Sequence, residues 1–319
     1  MIAERWFARR TFHHSRFDDV EGLLEAKERQ EVSISACIPT LNEAETIGPI
    51  VSGIHRELIE RLPLLDELVV MDSASEDGTA RVAEEAGATV VQDAQILTGL
   101  EPASGKGEAL WKSLFVLKGD LIVWLDADIQ NFHPRFVYGP LGPLLTDPEI
   151  AYAKGFYDRP IKVGDHLQWA EGGRVTELAA RPLLNMFWPE LAAVVQPLSG
   201  EYAGRRSILE QLPFFTGYGV EIGLLIDIAT RYGVDTIAQV DLDVRVHRNQ
   251  DIGSLSRMAF AVLQAAMRRL EAAGRITLTK ELGTSYLQLQ GATERILERR
   301  ELRLAERPPA VTIPGYASR

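Results

Sequence analysis

Five apolar residues in a row, Leu121-Ile-Val-Trp-Leu125, run straight into Asp126-Ala-Asp128. An apolar run this short reads as a strand covered on both faces, as in a parallel sheet flanked by helices. The plan recurs along the first half. Val32, Ile34, Ala36 and Ile38 alternate with small or polar residues and lead into Pro39-Thr-Leu-Asn-Glu43. Leu68-Val-Val-Met71 ends at Asp72, and Thr89-Val-Val91 follows. Between these runs, Ile47, Ile50, Val51, Ile54 and Leu58 recur at helical spacing, as do Val82, Ala83 and Ala86, and Ala109 to Leu117 reads as a helix. Strands alternating with helices predict an α/β fold: a mostly parallel, Rossmann-like sheet flanked by helices, with ligands at the carboxyl ends of the strands. The polar motifs of this half sit at those ends.

The second half is less regular. Arg174 to Leu184 and Glu221 to Tyr232 read as helices. From Ile237 to His247 the pattern alternates, with Asp241, Asp243, Arg245 and His247 on one face. Leu255, Met258, Val262, Leu263, Ala266, Met267 and Leu270 form an amphipathic stripe. The charge-rich stretch from Lys280 to Arg307 reads as helical. The chain divides at 1–30, 31–150, 151–253 and 254–319, the first an arm or short helix and the last a helical tail. The stripe offers a dimer contact, or packs on its own subunit.

Composition removes several function classes. No run of 18 apolar residues exists, so no membrane span is expected. The N-terminus is too charged for a signal peptide. Cys37 is the single cysteine, which fits a reducing cytoplasmic location. The net charge of −11 disfavours nonspecific nucleic-acid binding.

Six motifs carry candidate chemistry. Pro39-Thr-Leu-Asn-Glu43 follows a strand and presents backbone N–H groups to a ligand, although Asn42 serves equally as a helix cap. In Asp72-Ser-Ala-Ser-Glu-Asp-Gly-Thr79, Asp72 is placed to accept from a ribose or base, or to organise an Asx turn. Gly105-Lys-Gly-Glu-Ala-Leu110 lacks P-loop spacing, yet its glycines let Lys106 approach a phosphate. Asp126-Ala-Asp128 places two carboxylates at a buried strand end. A hard divalent cation, Mg²⁺ or Mn²⁺, compensates them and in turn holds a diphosphate. Gly172-Gly-Arg174, with Thr176, makes a phosphate site at a helix start, or else a helix start with Arg174, Glu177 and Arg181 in surface pairs. In Arg245-Val-His-Arg-Asn249, His247 is able to complete a metal site begun by Asp128. Pro197-Leu-Ser-Gly-Glu201 and Gly217-Tyr-Gly-Val-Glu221 are polar loops suited to the acceptor side.

Taken together, these residues resemble the glucosyl-3-phosphoglycerate synthase family of actinobacteria and the related mannosyl-3-phosphoglycerate synthases. The resemblance runs from Val32 to Asn249. It is carried by Gly105-Lys-Gly-Glu-Ala-Leu-Trp111, Gly172-Gly-Arg-Val-Thr-Glu-Leu178, Gln196-Pro-Leu-Ser-Gly-Glu-Tyr202, Gly217-Tyr-Gly-Val-Glu-Ile-Gly-Leu-Leu-Ile-Asp227 and His247-Arg-Asn249. It implies a GT-A fold, a homodimer, a divalent metal and a retaining hexosyl transfer to 3-phosphoglycerate. Residues 31–150 would then bind the nucleotide sugar and 151–253 the acceptor. Pro39, Leu41, Glu43, Asp72, Ser73, Lys106, Asp126 and Ala127 would contact the donor. Asp128 and His247 would bind the metal, and Gly173, Arg174, Thr176 and Asn249 the acceptor. Asp128, Lys106, Glu221 and Leu198 would form the catalytic set. Thr40 and Ala127 stand where the family has alanine and serine, and that departure tilts the donor towards a mixed or mannosyl specificity. A family-2-like polyprenyl-phosphate transferase, a sugar nucleotidyltransferase and a noncatalytic sugar-nucleotide-binding protein are the competing readings.

Overall fold

The computed structural model describes residues 2–159, 161–163, 166–168, 173–246, 251–290 and 296–316. In chain order the strands are β1 (Thr11–His13), β2 (Ile34–Thr40), β3 (Glu67–Asp72), β4 (Thr89–Gln92), β5 (Leu121–Trp124), β6 (Tyr152–Asp158), β7 (Ile161–Val163) and β8 (His166–Gln168). They continue with β9 (Tyr202–Arg205), β10 (Phe214–Phe215), β11 (Ile237–Val244), β12 (Ser285–Gln290), β13 (Ile296–Glu301) and β14 (Glu306–Arg307). Eight of them form one sheet in the order β1-β11-β6-β9-β5-β2-β3-β4. Only β9 runs antiparallel to its neighbours in that sheet. The α/β class read from the sequence is the class observed.

Helices cover both faces, so the central strands are buried on both sides. Cys37, Met71, Trp124 and Tyr202 face one apolar core, together with Trp111 and Val220. Ala36, Ile38, Val70, Val123 and Leu125 face the other, together with Ile47, Ile50 and Ile54. This is why these strands read as unbroken apolar runs.

Three expectations change, and one open alternative is resolved. Residues 2–30 are not a simple arm: β1 pairs with β11 as the sheet edge, and fully buried Trp6 donates Nε1–H to Ile237 O at 2.9 Å. His13 Nε2 and His14 Nε2 lie 3.0 and 2.7 Å from the Asp243 carboxylate and add a polar clamp to that edge. The alternation of β11 breaks after Asp241: Asp243 adopts φ +62° and the register shifts before Val244. A bulge of this kind re-aims the side chains that follow it. The described residues of the Lys280–Arg307 stretch are not helical: β12 and β13 pair antiparallel and β14 pairs with β10. Lastly, the stripe of the helix Ile252–Ala272 packs on its own subunit. Val262, Ala266 and Leu270 are fully buried, and Leu255, Met258 and Met267 pack against the same core.

Candidate active site

The carboxyl ends of β5, β2 and β3 are neighbours in the sheet, β11 lies beyond β9 and β6, and the polar motifs follow from these four strands. The first two motifs are knitted together. Asn42, at φ +57°, donates its backbone N–H to Ser75 Oγ at 2.8 Å and accepts from the Glu76 amide at 2.9 Å. Glu43 N donates to Thr79 Oγ1 at 2.8 Å, and Ala44 N to Asp77 at 3.0 Å. The cap position of the next helix is Glu43, so Asn42 ties two loops together instead of capping. Pro39 is half-buried in this wall, and Leu41 is 57% exposed.

Asp72 departs from its expected role. It is 1% exposed, and its oxygens accept from Thr40 Oγ1, Ser75 N, Ser75 Oγ and Gln92 Nε2 at 2.6 to 3.1 Å. Those bonds describe the Asx-turn alternative: Asp72 shapes the loop from behind. Ser73, next in the chain, donates to Asp93 at 2.7 Å. Ala127 is likewise buried, and its carbonyl accepts from Thr46 Oγ1 at 2.6 Å.

Lys106 opens the helix Lys106–Ser113 from Gly105, whose φ of +105° favours glycine. A Cβ at Gly107 would fall on the Phe215 carbonyl, so only glycine lets this helix sit against Phe215–Thr216. The seat directs Lys106 Nζ to Asp126 Oδ1 at 2.5 Å and to Glu221 Oε1 at 2.8 Å. Burial works against its charge, but Asp126 and Glu221 outweigh that and hold its pKa above the ordinary lysine value. Burial also works against the charge on Asp126, and Lys106 and Arg245 overcome it, so its carboxyl titrates below the usual range.

Arg245 is the residue the sequence reading left without a role. It is 2% exposed. Its guanidinium contacts Asp126 Oδ2 at 3.0 Å, Glu201 Oε1 at 3.2 Å, the Tyr157 hydroxyl at 2.6 Å and the Asp128 carboxylate. Tyr157 in turn donates to Glu201 Oε2 at 2.6 Å. One cation therefore bridges both carboxylates of Asp126-Ala-Asp128. Two hard oxygen donors that already draw a positive group between them fit a divalent metal. The available signal was an arginine two residues before His247. Its partners come from β6, the turn before β9 and the loop after β5, which no spacing reveals.

The remaining candidates separate. Gly173 (φ +82°) precedes a continuous helical stretch in which Arg174 lies in the first turn and Thr176 is 5% exposed. The Arg181–Glu177 pair of the alternative reading forms, with Nε 2.8 Å from Oε2. Leu198 is half-buried in the turn before Gly200, packed against the core. His247 and Asn249 lie outside the described residues.

A mostly parallel sheet with paired carboxylates and a lysine at its strand ends is the arrangement of a glycosyltransferase. The family model for glycosyl transferase family 2 matches residues 35–212. Glucosyl-3-phosphoglycerate synthase of Petrotoga mobilis is 52% identical over 309 residues, 97% of this chain and 95% of that protein. The Mycobacterium tuberculosis glucosyl-3-phosphoglycerate synthase is 49% identical over 237 residues, 72% of each chain. Among solved structures, mannosyl-3-phosphoglycerate synthase from Rubrobacter xylanophilus superposes with a TM-score of 0.90 at 41% identity, covering 98% of this chain and 99% of that one. The M. tuberculosis glucosyl enzyme, in complex with Mn²⁺, UDP and phosphoglyceric acid, superposes at 0.80 with 42% identity over 92% and 94%. The chain belongs to the glucosyl-3-phosphoglycerate synthases, within glycosyl transferase family 2. It is a metal-dependent hexosyltransferase with the GT-A fold.

Proposed function

We propose that this chain transfers glucose from UDP-glucose to 3-phosphoglycerate with retention of anomeric configuration. The observation that carries the reading is Lys106 held between Asp126 and Glu221 beside the Arg245-bridged carboxylates. Asp128 and His247, the two expected ligands, would hold the divalent cation, Mn²⁺ or Mg²⁺, with Asp126 adding negative charge two residues from Asp128. When bound, that cation supplies Lewis-acid neutralisation of the leaving diphosphate.

Each protein group then has a task. Pro39, Leu41, Glu43 and Ser73 form the wall for the nucleotide. Lys106 adds positive charge where the diphosphate departs. Gly173, Arg174, Thr176 and Asn249 hold the acceptor phosphate at a helix start and present the glycerate hydroxyl. The bond from the anomeric carbon to the diphosphate breaks as the bond to the acceptor oxygen forms on the same face. The hydroxyl proton passes to the leaving diphosphate oxygen. Glu221, gripped by Lys106, is a poor free nucleophile, which favours this course over a covalent glucosyl-Glu221. Trapping such an adduct would overturn it.

A mannosyl donor is the second reading, supported by the 0.90 superposition on the R. xylanophilus enzyme. Incubation with 3-phosphoglycerate, Mn²⁺ and each of UDP-glucose, GDP-glucose and GDP-mannose separates them, and NMR of the product reports the anomer. The Petrotoga mobilis relative, which matches 97% of this chain, is a glucosyl-3-phosphoglycerate synthase, which supports this acceptor over the polyprenyl-phosphate and nucleotidyltransferase alternatives. The reading includes a homodimer in the cytoplasm. Exposed Leu287, Leu289, Ile296 and Leu297 on the β12–β13 hairpin support the dimer, and sedimentation as a monomer would contradict it. Among the described residues no helix is long and apolar enough to cross a membrane.

A further inference from the structure

Lys154 lies in β6 between β9 and β11, and it is 1% exposed. A buried ammonium is costly, and a filler of apolar shape would serve packing better. Its Nζ donates to Ser199 O at 2.9 Å and stands 4.5 Å from the Tyr202 ring centroid and 5.9 Å from that of Tyr152. The next residue, Gly155, donates its N–H to Glu201 O at 2.7 Å. Strand β6 thus grips the carbonyls on either side of Gly200. A Cβ at Gly200 would fall on the Asp126 carboxylate, so the backbone of this turn lies flat against Asp126. The turn is the wall behind the carboxylate that Lys106 and Arg245 hold from its other sides.

We propose that Lys154 is a positioning residue for glycosyl transfer: its amino group holds the Leu198–Gly200 turn against Asp126 and thereby fixes the carboxylate gripped by Lys106. The assignment rests on the glycosyltransferase reading of that site. Glu221, Glu201 and Asp126 favour the charged form of Lys154, and Lys106 opposes it. Burial pulls its pKa down to about 7, with Glu221 opposing. The hydroxyls of Tyr152, Tyr202 and Ser199 around it have no hydrogen-bond partner among the described residues. The Lys154 bond to Ser199 O is therefore the side-chain tie between β6 and this turn, beside the backbone bond from Gly155 N to Glu201 O.

The test compares Lys154→Met, Gly200→Ala and the double variant with wild type. Thermal unfolding is read beside kcat and the KM for 3-phosphoglycerate. Lys154→Met is expected to melt no lower than wild type, to lose about 30-fold in kcat, and to keep its acceptor KM within about twofold, because a small misplacement near the chemistry costs rate rather than acceptor binding. Gly200→Ala displaces the same turn, so the double variant is expected to be no slower than the slower single variant. Lys154→Arg, which keeps a donor for Ser199 O, is expected to recover part of the loss. A Lys154→Met enzyme with kcat within about twofold of wild type, or losses that multiply in the double variant, overturns the proposal. If Lys154→Met does not fold, Lys154→Gln is read by the same criteria. Absence of product with the wild type contradicts the proposed function instead. Lys154 is then judged by Mn²⁺-dependent UDP binding, which Lys154→Met must weaken for the assignment to stand.

Discussion

Lys106 Nζ lies 2.8 Å from Glu221 Oε1, which joins the first turns of two helices, Lys106–Ser113 and Val220–Tyr232, across the strand ends. Each side chain is the other's compensation, because Glu221 is 4% exposed and has little water to turn to. Lys106→Met strands Glu221 and releases Asp126. It is expected to lower kcat by about 10²-fold, the scale of one lost electrostatic stabiliser. Steady-state kinetics with saturating donor checks this, and kcat within a few-fold of wild type would remove Lys106 from the reaction.

Arg245 faces three carboxylates, on Asp126, Asp128 and Glu201. Removing one partner of a buried charge network leaves the others uncompensated, at a cost of about 3–5 kcal/mol. Arg245→Met is expected to unfold at correspondingly lower urea. A divalent cation supplies positive charge to the same carboxylates, so Mn²⁺ is expected to raise the melting temperature of Arg245→Met by more than that of wild type. An equal Mn²⁺ shift in both would show that Arg245 and the metal act at separate places.

Arg307 of β14 grips the fully buried Glu108 through two nitrogens, at 2.7 and 2.8 Å. Trp111 Nε1 donates to Pro308 O at 2.8 Å, and Thr216 N donates to Ala305 O at 3.0 Å. The C-terminal segment thus straps down the helix that begins with Lys106. Arg307→Ala is expected to destabilise the protein by about 3 kcal/mol, moderated by Lys112 beside Glu108, and to lower kcat along with stability. Urea unfolding and kinetics on one preparation test both halves.

Cys37 lies inside β2, fully buried, and burial pushes its thiol up to about 12. The thiolate is the reactive form, and at pH 8 its fraction is on the order of 10⁻⁴. The native protein is expected not to react with a thiol-directed disulfide reagent at pH 8, and to release one equivalent once unfolded in urea. Fast native reaction would mean that this strand opens.

The parallel core was legible because buried strands leave contiguous apolar runs, and Leu121–Leu125 announced both its strand and the carboxylates at its end. The hairpin β12–β13 was not. Its Glu and Arg content suits a helix, and the period-two pattern of Leu287-Gln-Leu-Gln290 is too short to outweigh that composition. Lys106, Asp126, Asp128 and Glu221 were found as motif residues, but their mutual contacts belong to the fold. Asp72 showed the converse: a carboxylate at a strand end reads as a ligand until its hydrogen bonds are counted. Arg245 and Lys154 were missed as actors because their partners come from other strands, and no local pattern marks a buried cation whose compensation is distant in sequence.

The central claim is tested most directly by mixing the protein with UDP-glucose, 3-phosphoglycerate and Mn²⁺, with and without a chelator, and identifying the products. The account predicts glucosyl-3-phosphoglycerate and UDP, abolished by the chelator and by Asp128→Ala. Glucosyl transfer that continues unchanged in excess chelator, or no sugar ester with any of UDP-glucose, GDP-glucose and GDP-mannose, would contradict it.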